Sequence, residues 1–378
     1  MPSRKRTTSV VVTPVSALAS PEVPRVPPTS AAVARAAGVS RTTVSFVLNG
    51  VTDRGISDAT RERVLQAAQA LGYEPNAAAS TLVSGRTGTV ALVLPSVQHL
   101  HVDAFLAQLL ASVAEQCRRH GLTLLIEATD GEGQQADRFV RLVRGRRIDG
   151  LIVAHPRDAE REHLLRLQDS GVPLVVLGGG WAETHPGQVL GDDTRDGARR
   201  LTAHLMALGH RRIGFVNYAS SEFRNAAARE QGWRDALLAH DVAPEPAWSV
   251  HANLSADSGW QATRALLARQ SGSTGPTAIF AGNDTIAFGA LRALREAGLR
   301  VPQDVALVGY DDIPLAAFAD PPLTTVRSDP AGQGAEAVAR LRRQLDGGPA
   351  PGAPKGPAAA TALPATLVVR ASCGGQPG

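Results

Sequence analysis

From Val90 onward, short continuous apolar runs alternate with stretches whose apolar residues recur at helical spacing. The runs of the first half are VALVLP, LTLLIEA, DGLIVA and PLVVLG, and helical periodicity separates them over residues 103–120, 134–146 and 158–170. The pattern then restarts with RIGFVN, helical stretches at 225–240 and 256–270, TAIFA, a helix at 284–297, and DVALVGY. Runs without polar alternation suit strands buried on both faces. Strands that alternate with helices predict parallel sheets covered by helices on each side. A pattern that runs twice predicts an α/β body of two doubly wound lobes. Ligands of such sheets sit beyond the carboxyl ends of the strands, so two facing lobes place that edge in a cleft. The body is expected over residues 89–371, with a first lobe at 89–188 and 327–355 and a second at 189–326 and 356–371.

The pattern before Val90 is different. In AAVARAAGVSRTTVSFVLNG, residues 31–50, an alanine-rich helical stretch ends at Gly38, which takes the left-handed conformation without steric cost. Ser40 is a good N-cap for a second helix. Val44, Val47 and Leu48 form the buried stripe of that helix, and Arg41, Thr42 and Ser45 face outward. Two short helices joined by a glycine turn make a helix-turn-helix whose second helix leads with hydrogen-bonding side chains. An ordinary helical hairpin is the alternative reading of this stretch. Ser57 caps a third helix, whose Val64, Leu65, Ala68 and Leu71 are expected to cover the first two. The segment EPNAAASTLVSGRTG favours helix but is too short to be stable alone. It reads as a conditional hinge over residues 75–88, or as a plain linker.

Composition and charge sharpen this division. The chain has 378 residues, of which 43% are hydrophobic and 20% charged, as in a soluble globular protein. Residues 1–88 hold ten Lys/Arg against five acids, so a module of charge +5 precedes a near-neutral body in a chain of net charge +4. A basic module joined to a body with another task suggests nucleic acid as a partner. No apolar run approaches membrane-spanning length, so no membrane partner is expected. The apolar part of the basic start is broken by Thr13, Pro14 and Ser16. Residues 1–27 are therefore read as a disordered arm rather than a secretory signal. The two cysteines, Cys117 and Cys373, fit no metal or disulfide pattern, and a cytoplasmic, nucleoid-associated location is expected.

TSAAVARAAGVSRTTVSFVLNG, ISDATRERVLQAAQALGYEPNAAASTLVSGRTG and VALVLP follow one another in the order and spacing of the lactose-repressor/galactose-repressor family. The likeness continues in LGHRRIGFV, REQGW and TAIFAGNDTIAFGALRALREAGLRVPQDVALVGYDDIPLAAFADPPLTTVR. Over residues 29–371 the chain thus resembles that family of transcriptional regulators. The resemblance implies a helix-turn-helix head over 28–74 and a two-lobed, periplasmic-binding-protein-like body, with residues 372–378 as a tail. It also implies roles. Arg41, Thr42 and Phe46 match base-reading positions, while Thr29, Ser40, Thr43, Ser45 and Asn49 match positions that contact phosphate or fix the helix. Asn76 falls in the hinge with the DNA-contacting set. Leu82 matches a hinge leucine wedged, with its dimer mate, into the minor groove, where an apolar wedge unstacks a base step. Ala31, Phe46 and Ser80 depart from the residues usual at their positions. Phe46 has two readings, contact with a thymine methyl or simple packing.

In the body, Asn283 and Asp311 follow predicted strands, and Arg229 is placed at the start of a helix. An amide, a carboxylate and a guanidinium can hold hydroxyls in fixed directions. The family uses the matching positions to grip a small effector, commonly a sugar. Ser96, His101 and Phe105 are expected to line the cleft from the first lobe. Gly178 stands where several members carry an acid, and Trp181 offers a stacking face. Asp284 and Asp312 are read as caps or structural pairs.

No GxSxG, HExxH or GxxxxGK[ST] motif is present, so no enzyme activity, cofactor or metal is expected. The resemblance makes the chain an effector-controlled regulator, most simply a repressor, that binds near-palindromic operator DNA as a homodimer. The end, ASCGGQPG, lacks the leucine heptads of a tetramerising coiled coil. The alternatives are a periplasmic-type sugar-binding protein without DNA function and a regulator that senses a nucleoside or purine.

Overall fold

Three hydroxyl side chains start three helices of the N-terminal part. The Thr29 hydroxyl accepts from the Ala32 amide at 3.3 Å at the start of α1 (Ser30–Ala37). The Ser40 hydroxyl accepts from the Thr43 amide at 3.0 Å at the start of α2 (Arg41–Leu48). Ser57 does the same with Thr60 at 3.3 Å for α3 (Asp58–Leu71). Each satisfies an amide that the first helical turn leaves open. Gly38 ends α1 at φ +66°, as its lack of a side chain allows. Val33, Ala34, Ala37, Val44, Val47, Val64 and Ala68 form a small core. Leu65 and Leu71, expected within it, stay 44% and 38% exposed. Three short helices enclose too little volume to cover the flanks of α3 as well as its centre.

The computed structural model describes residues 28–51, 54–75, 81, 84–96, 100–129, 138–178, 189–219, 223–269, 275–347, 361–363 and 365–376. The basic arm, Asn76, Ser80, Leu82 and Trp181 lie outside the described residues. The chain divides into two units, residues 1–85 and 86–378.

Among the described residues the second unit holds two parallel sheets and one antiparallel strand pair. The first has six strands in the order β11-β5-β4-β3-β1-β2, all parallel: β1 (Thr89–Leu94), β2 (Thr123–Ala128), β3 (Gly150–Ala154), β4 (Leu174–Leu177), β5 (Val189–Asp192) and β11 (Thr361–Leu363). The second has four parallel strands in the order β7-β6-β8-β9: β6 (Ile213–Asn217), β7 (Ser249–His251), β8 (Ala278–Ala281) and β9 (Ala306–Val308). An antiparallel pair, β10 (Thr325–Arg327) with β12 (Thr366–Val368), continues its edge through the bridges Val308–Thr324 and Asp311–Arg327.

Alternate residues of each strand feed opposite faces. In the first sheet Leu92, Leu94, Ile152 and Val175 pack under α4 (Ala104–Arg119) and α11 (Pro330–Leu345). Ala91, Val93, Leu151 and Val176 pack under α5 (Arg138–Arg144) and α6 (Arg161–Asp169). The second sheet is covered on one face by α7 (Thr194–Ala207) and α8 (Arg224–Leu238). Its other face packs under α9 (Ala256–Ala268) and α10 (Asp284–Glu296). Two-sided cover explains why these strands read as unbroken apolar runs.

The lobe boundaries differ from those expected. β5 pairs with β4 and β11 pairs with β5, so residues 189–192 and 361–363 belong to the first sheet. The chain passes to the second lobe only after Asp192, because the parallel edge beside β4 is filled before α7 begins. α7, β5 and β7 were not anticipated.

Candidate functional site

The carboxyl ends of both sheets meet one cavity, a cleft of about 550 Å³ when the part open to solvent is counted. Pro95, Asp103, Phe105, Leu106 and His155 line it from the first lobe. Tyr218, Ala219, Phe223, Arg229, Asn253, Leu254, Asn283 and Asp311 line it from the second. This is where parallel sheets place ligands. Several lining residues follow a strand directly or at one remove: His155 after β3, Tyr218 after β6, Asn253 after β7 and Asn283 after β8.

Arg229 is the centre of the arrangement. It sits on the second turn of α8, not at its start, and is 7% exposed. Its guanidinium pairs with Asp311 at 3.1 Å and donates to the Gly282 carbonyl. It stacks 3.8 Å from the Tyr310 ring centre and 4.7 Å from that of Tyr218. Asp311 has φ +105°, a conformation that L-residues rarely adopt. His155, Leu254 and Asp312 are also left-handed. Strain of this kind persists where surrounding contacts over-determine the backbone, and Asp284 supplies such contacts here. Its buried carboxylate accepts from the Ile313 amide at 2.9 Å and from the Thr325 hydroxyl at 2.7 Å, and its own amide bonds the Tyr310 carbonyl. Burial, and then the charge of Asp311, push the Asp284 carboxyl well above its ordinary range. Asp312 is held by Arg327 and Arg370, each at 2.7 Å. Both acids are thus bound into the fold, as the sequence suggested.

Asn283 caps α10 through Oδ1, which accepts from the Ile286 amide at 2.7 Å. Its Nδ2 is buried without a hydrogen-bond partner. Asp103 caps α4 by accepting from the Phe105 amide at 2.9 Å. Burial, and next the charge of Asp311 from the opposite lobe, raise the Asp103 carboxyl to about 7. The lobes also touch at the rim. Arg224 pairs with Asp158 at 2.6 Å, Arg157 lies 5.1 Å over the Phe223 ring, and Asn225 Nδ2 is 2.7 Å from His155 Nδ1.

Of the residues expected here, Phe105, Arg229, Asn283 and Asp311 line the cavity. Ser96 and His101 are not among its lining residues, and His101 is exposed. The wall is made instead by Asp103 and Phe105 at the start of α4. Gly178 is buried at φ +135° behind the cavity, where a Cβ would lie 3.2 Å from the Asn225 amide oxygen. Gly178→Ala is therefore expected to lower the melting temperature of the body, at a cost of ~1–3 kcal/mol for the strained backbone. It should also weaken ligand binding by displacing Asn225 from His155. A melting curve matching wild type would show that the loop adapts. Asp103, His155, Tyr218, Phe223 and Asn253 were not anticipated. His155 and Tyr218 carried a usable signal, since each directly follows an apolar run. Asp103 carried none beyond its capping position.

In the N-terminal unit, Arg41 and Thr42 are exposed on the first turn of α2, with Thr43, Ser45 and Phe46 half-buried. Thr43 and Ser40 hydroxyls are 2.9 Å apart. Asn49 ends the helix by donating to the Ser45 carbonyl at 2.8 Å. The Arg54 guanidinium lies 5.5 Å over the Phe46 ring. The capped, polar leading turn of α2 has the form of a major-groove reading helix.

A short capped helix pair followed by two doubly wound lobes around a polar cleft defines a DNA-binding regulator with a ligand-binding body. Comparison with known proteins agrees. Residues 31–76 match the model of bacterial regulatory proteins of the lacI family, and residues 202–373 match the periplasmic binding protein-like domain. The chain is 32% identical to the HTH-type transcriptional repressor PurR of Haemophilus influenzae (strain PittEE), over 83% of this chain and 90% of that protein. It is 33% identical to the ribose operon repressor of Haemophilus influenzae (strain ATCC 51907 / DSM 11121 / KW20 / Rd), with the same coverage of both. Among solved structures, the Lac repressor dimer bound to operator and the anti-inducer ONPF matches with TM-score 0.77 and 30% identity, over 92% of this chain and 99% of that one. A complex of the regulator CelR with cellobiose matches with TM-score 0.65 and 33% identity, over 91% and 99%. The chain belongs to the lacI family of bacterial regulatory proteins. It is a DNA-binding transcriptional repressor with an effector-binding domain. No helix among the described residues is long and apolar enough to cross a membrane.

Proposed function

We propose that the protein is a cytoplasmic homodimeric repressor whose affinity for a near-palindromic operator is set by a small molecule bound between the lobes. The observation that carries this reading is the buried Arg229–Asp311 pair in a cavity that takes walls from both sheets. A ligand there touches both lobes, so it acts on their separation. The hinge segments that begin each body then move apart or together, and their paired helices melt or form. A coupling of ~1–3 kcal/mol changes operator affinity ~5–150-fold. The effector is read as a sugar or sugar derivative, because the cavity offers directional polar groups and a solved relative holds cellobiose. A nucleoside or purine is the second reading, favoured by the rings of Phe105, Tyr218 and Phe223 on the wall.

The DNA side is tested with Leu82→Ala on an operator selected by the full-length protein from random-sequence DNA. A minor-groove wedge forfeits ~1.5–3 kcal/mol of apolar burial per side chain when truncated. The variant should lose operator affinity while its binding to random DNA is nearly unchanged. Equal losses on both would make Leu82 part of a plain linker. Sedimentation of the same samples should give a dimer.

A further inference from the structure

We propose that the cavity is built for a hexose-sized ligand bearing a protonated amine, an amino sugar, whose ammonium group is held by Asp103. This rests on the cleft being the effector site and adds the charge of the ligand. Three charged side chains, each 7% exposed, line the cavity: Asp103 from the first lobe, Arg229 and Asp311 from the second. The charge of the guanidinium is already paired, although its Nε is buried without a hydrogen-bond partner. It pairs with Asp311, donates to the Gly282 carbonyl and lies against two tyrosine rings. The rim cations are committed too. Arg224 pairs with Asp158, and Arg157 donates to the Thr129 carbonyl while lying over Phe223. The His155 ring meets the Asn225 amide. Residues 220–222, which join the lining residues Ala219 and Phe223 along the chain, contain no lysine or arginine.

An ionised Asp103 thus gives the cavity one negative charge in excess, among Phe105, Leu106, Tyr218, Phe223 and Leu254. A buried carboxylate without a counter-charge is unfavourable. The rise of the Asp103 carboxyl to about 7, caused by burial first and then by the charge of Asp311, expresses that cost. A ligand ammonium supplies the missing charge, and the aromatic faces favour a cation as well. A second observation points to a ligand independently. Asn283 is 2% exposed, lines the same cavity and has an amide nitrogen without a hydrogen-bond partner. That donor calls for a ligand oxygen. A hydroxylated ring with one ammonium group answers both, and the cleft, whose space is about 550 Å³ when the part open to solvent is counted, leaves room for it.

The test is titration calorimetry on the full-length protein at neutral pH, with glucosamine, galactosamine and mannosamine each set against its parent hexose. At least one hexosamine should bind more tightly than its parent by about tenfold or more. In Asp103→Asn that ratio should fall to within about twofold. Asparagine caps a helix as well as aspartate does, so α4 is kept, and a melting curve verifies the fold. Equal affinity for amine and parent overturns the inference, as does a ratio that survives Asp103→Asn or the absence of binding by all three hexosamines. The cleft reading fails in a different way. Binding that Arg229→Ala leaves intact places the ligand elsewhere, whatever its charge.

Discussion

Arg229→Ala and Asp311→Asn are expected to silence the effector response while operator binding persists. Each removes one half of a buried ion pair that lines the cavity. Truncating one partner leaves the other charge buried and unmatched, which lowers stability, and the loss of a charged contact with the ligand costs ~2–5 kcal/mol of affinity, or roughly 30- to 4,000-fold. Asparagine is preferable to alanine at position 311 because it tolerates the positive φ of that residue better. Both residues belong to the second unit and the DNA-reading side chains to the first, so affinity for operator without effector should stay near wild type. If effector releases the wild-type protein from DNA, the variants repress permanently. If effector is required for binding, they are permanently released. The measurement is a pair of operator titrations, with and without effector, on variants shown by melting to be folded. Folded variants with a full response would reduce the pair to a structural contact.

The second large effect is on stability against pH. The Asp103 carboxyl titrates at about 7 in the folded protein, against 3.8 for an ordinary aspartate. The cause is burial first, then the charge of Asp311, only partly offset by the Phe105 and Leu106 amides and by Arg229. An acid with a raised value binds more protons folded than unfolded. Its favourable contribution is therefore complete below about 4 and is lost as the pH rises through about 7. Each pH unit between the two values is worth ~1.4 kcal/mol, so the ionised group costs up to about 4 kcal/mol in the ligand-free body. Asp284 shifts in the same direction and adds to the trend. Asp103→Asn should leave stability near wild type at acid pH and raise the melting temperature of the body at alkaline pH. Denaturation curves of the two proteins that stay parallel from acid to alkaline pH would show that Asp103 finds a counter-charge in the folded chain.

The parts legible in the sequence were those set by local rules. The runs at Val90 and Gly150 announced strands because two-sided burial admits no polar residue. The helix expected over 103–120 is found at 104–119. Gly38, Ser40 and Ser57 marked helix ends through backbone needs that depend on no distant contact. Asn283 and Asp311 could be found because strand ends are where such sheets bind. β7, only three residues long, offered too little pattern to recognise. α7 was recognisable in principle, since Ala198, Leu201, Leu205 and Met206 recur at helical spacing on its buried side. The significance of Asp103 was beyond local rules. A carboxylate that caps a helix looks ordinary until the opposite lobe sets Asp311 and Arg229 before it.

The order of the first sheet bears on how the protein is made. One of its edge strands, Thr361–Leu363, follows the second sheet along the chain, while the other five come from residues 89–192. The whole second sheet is translated in between. During synthesis the edge of β5 therefore stays unpaired until the second sheet has been made. Unpaired edges invite association with other chains. The completing strand lies just ahead of Thr366–Val368, which closes the edge of the second lobe. Both lobes thus gain their last-made strands within a few residues of each other.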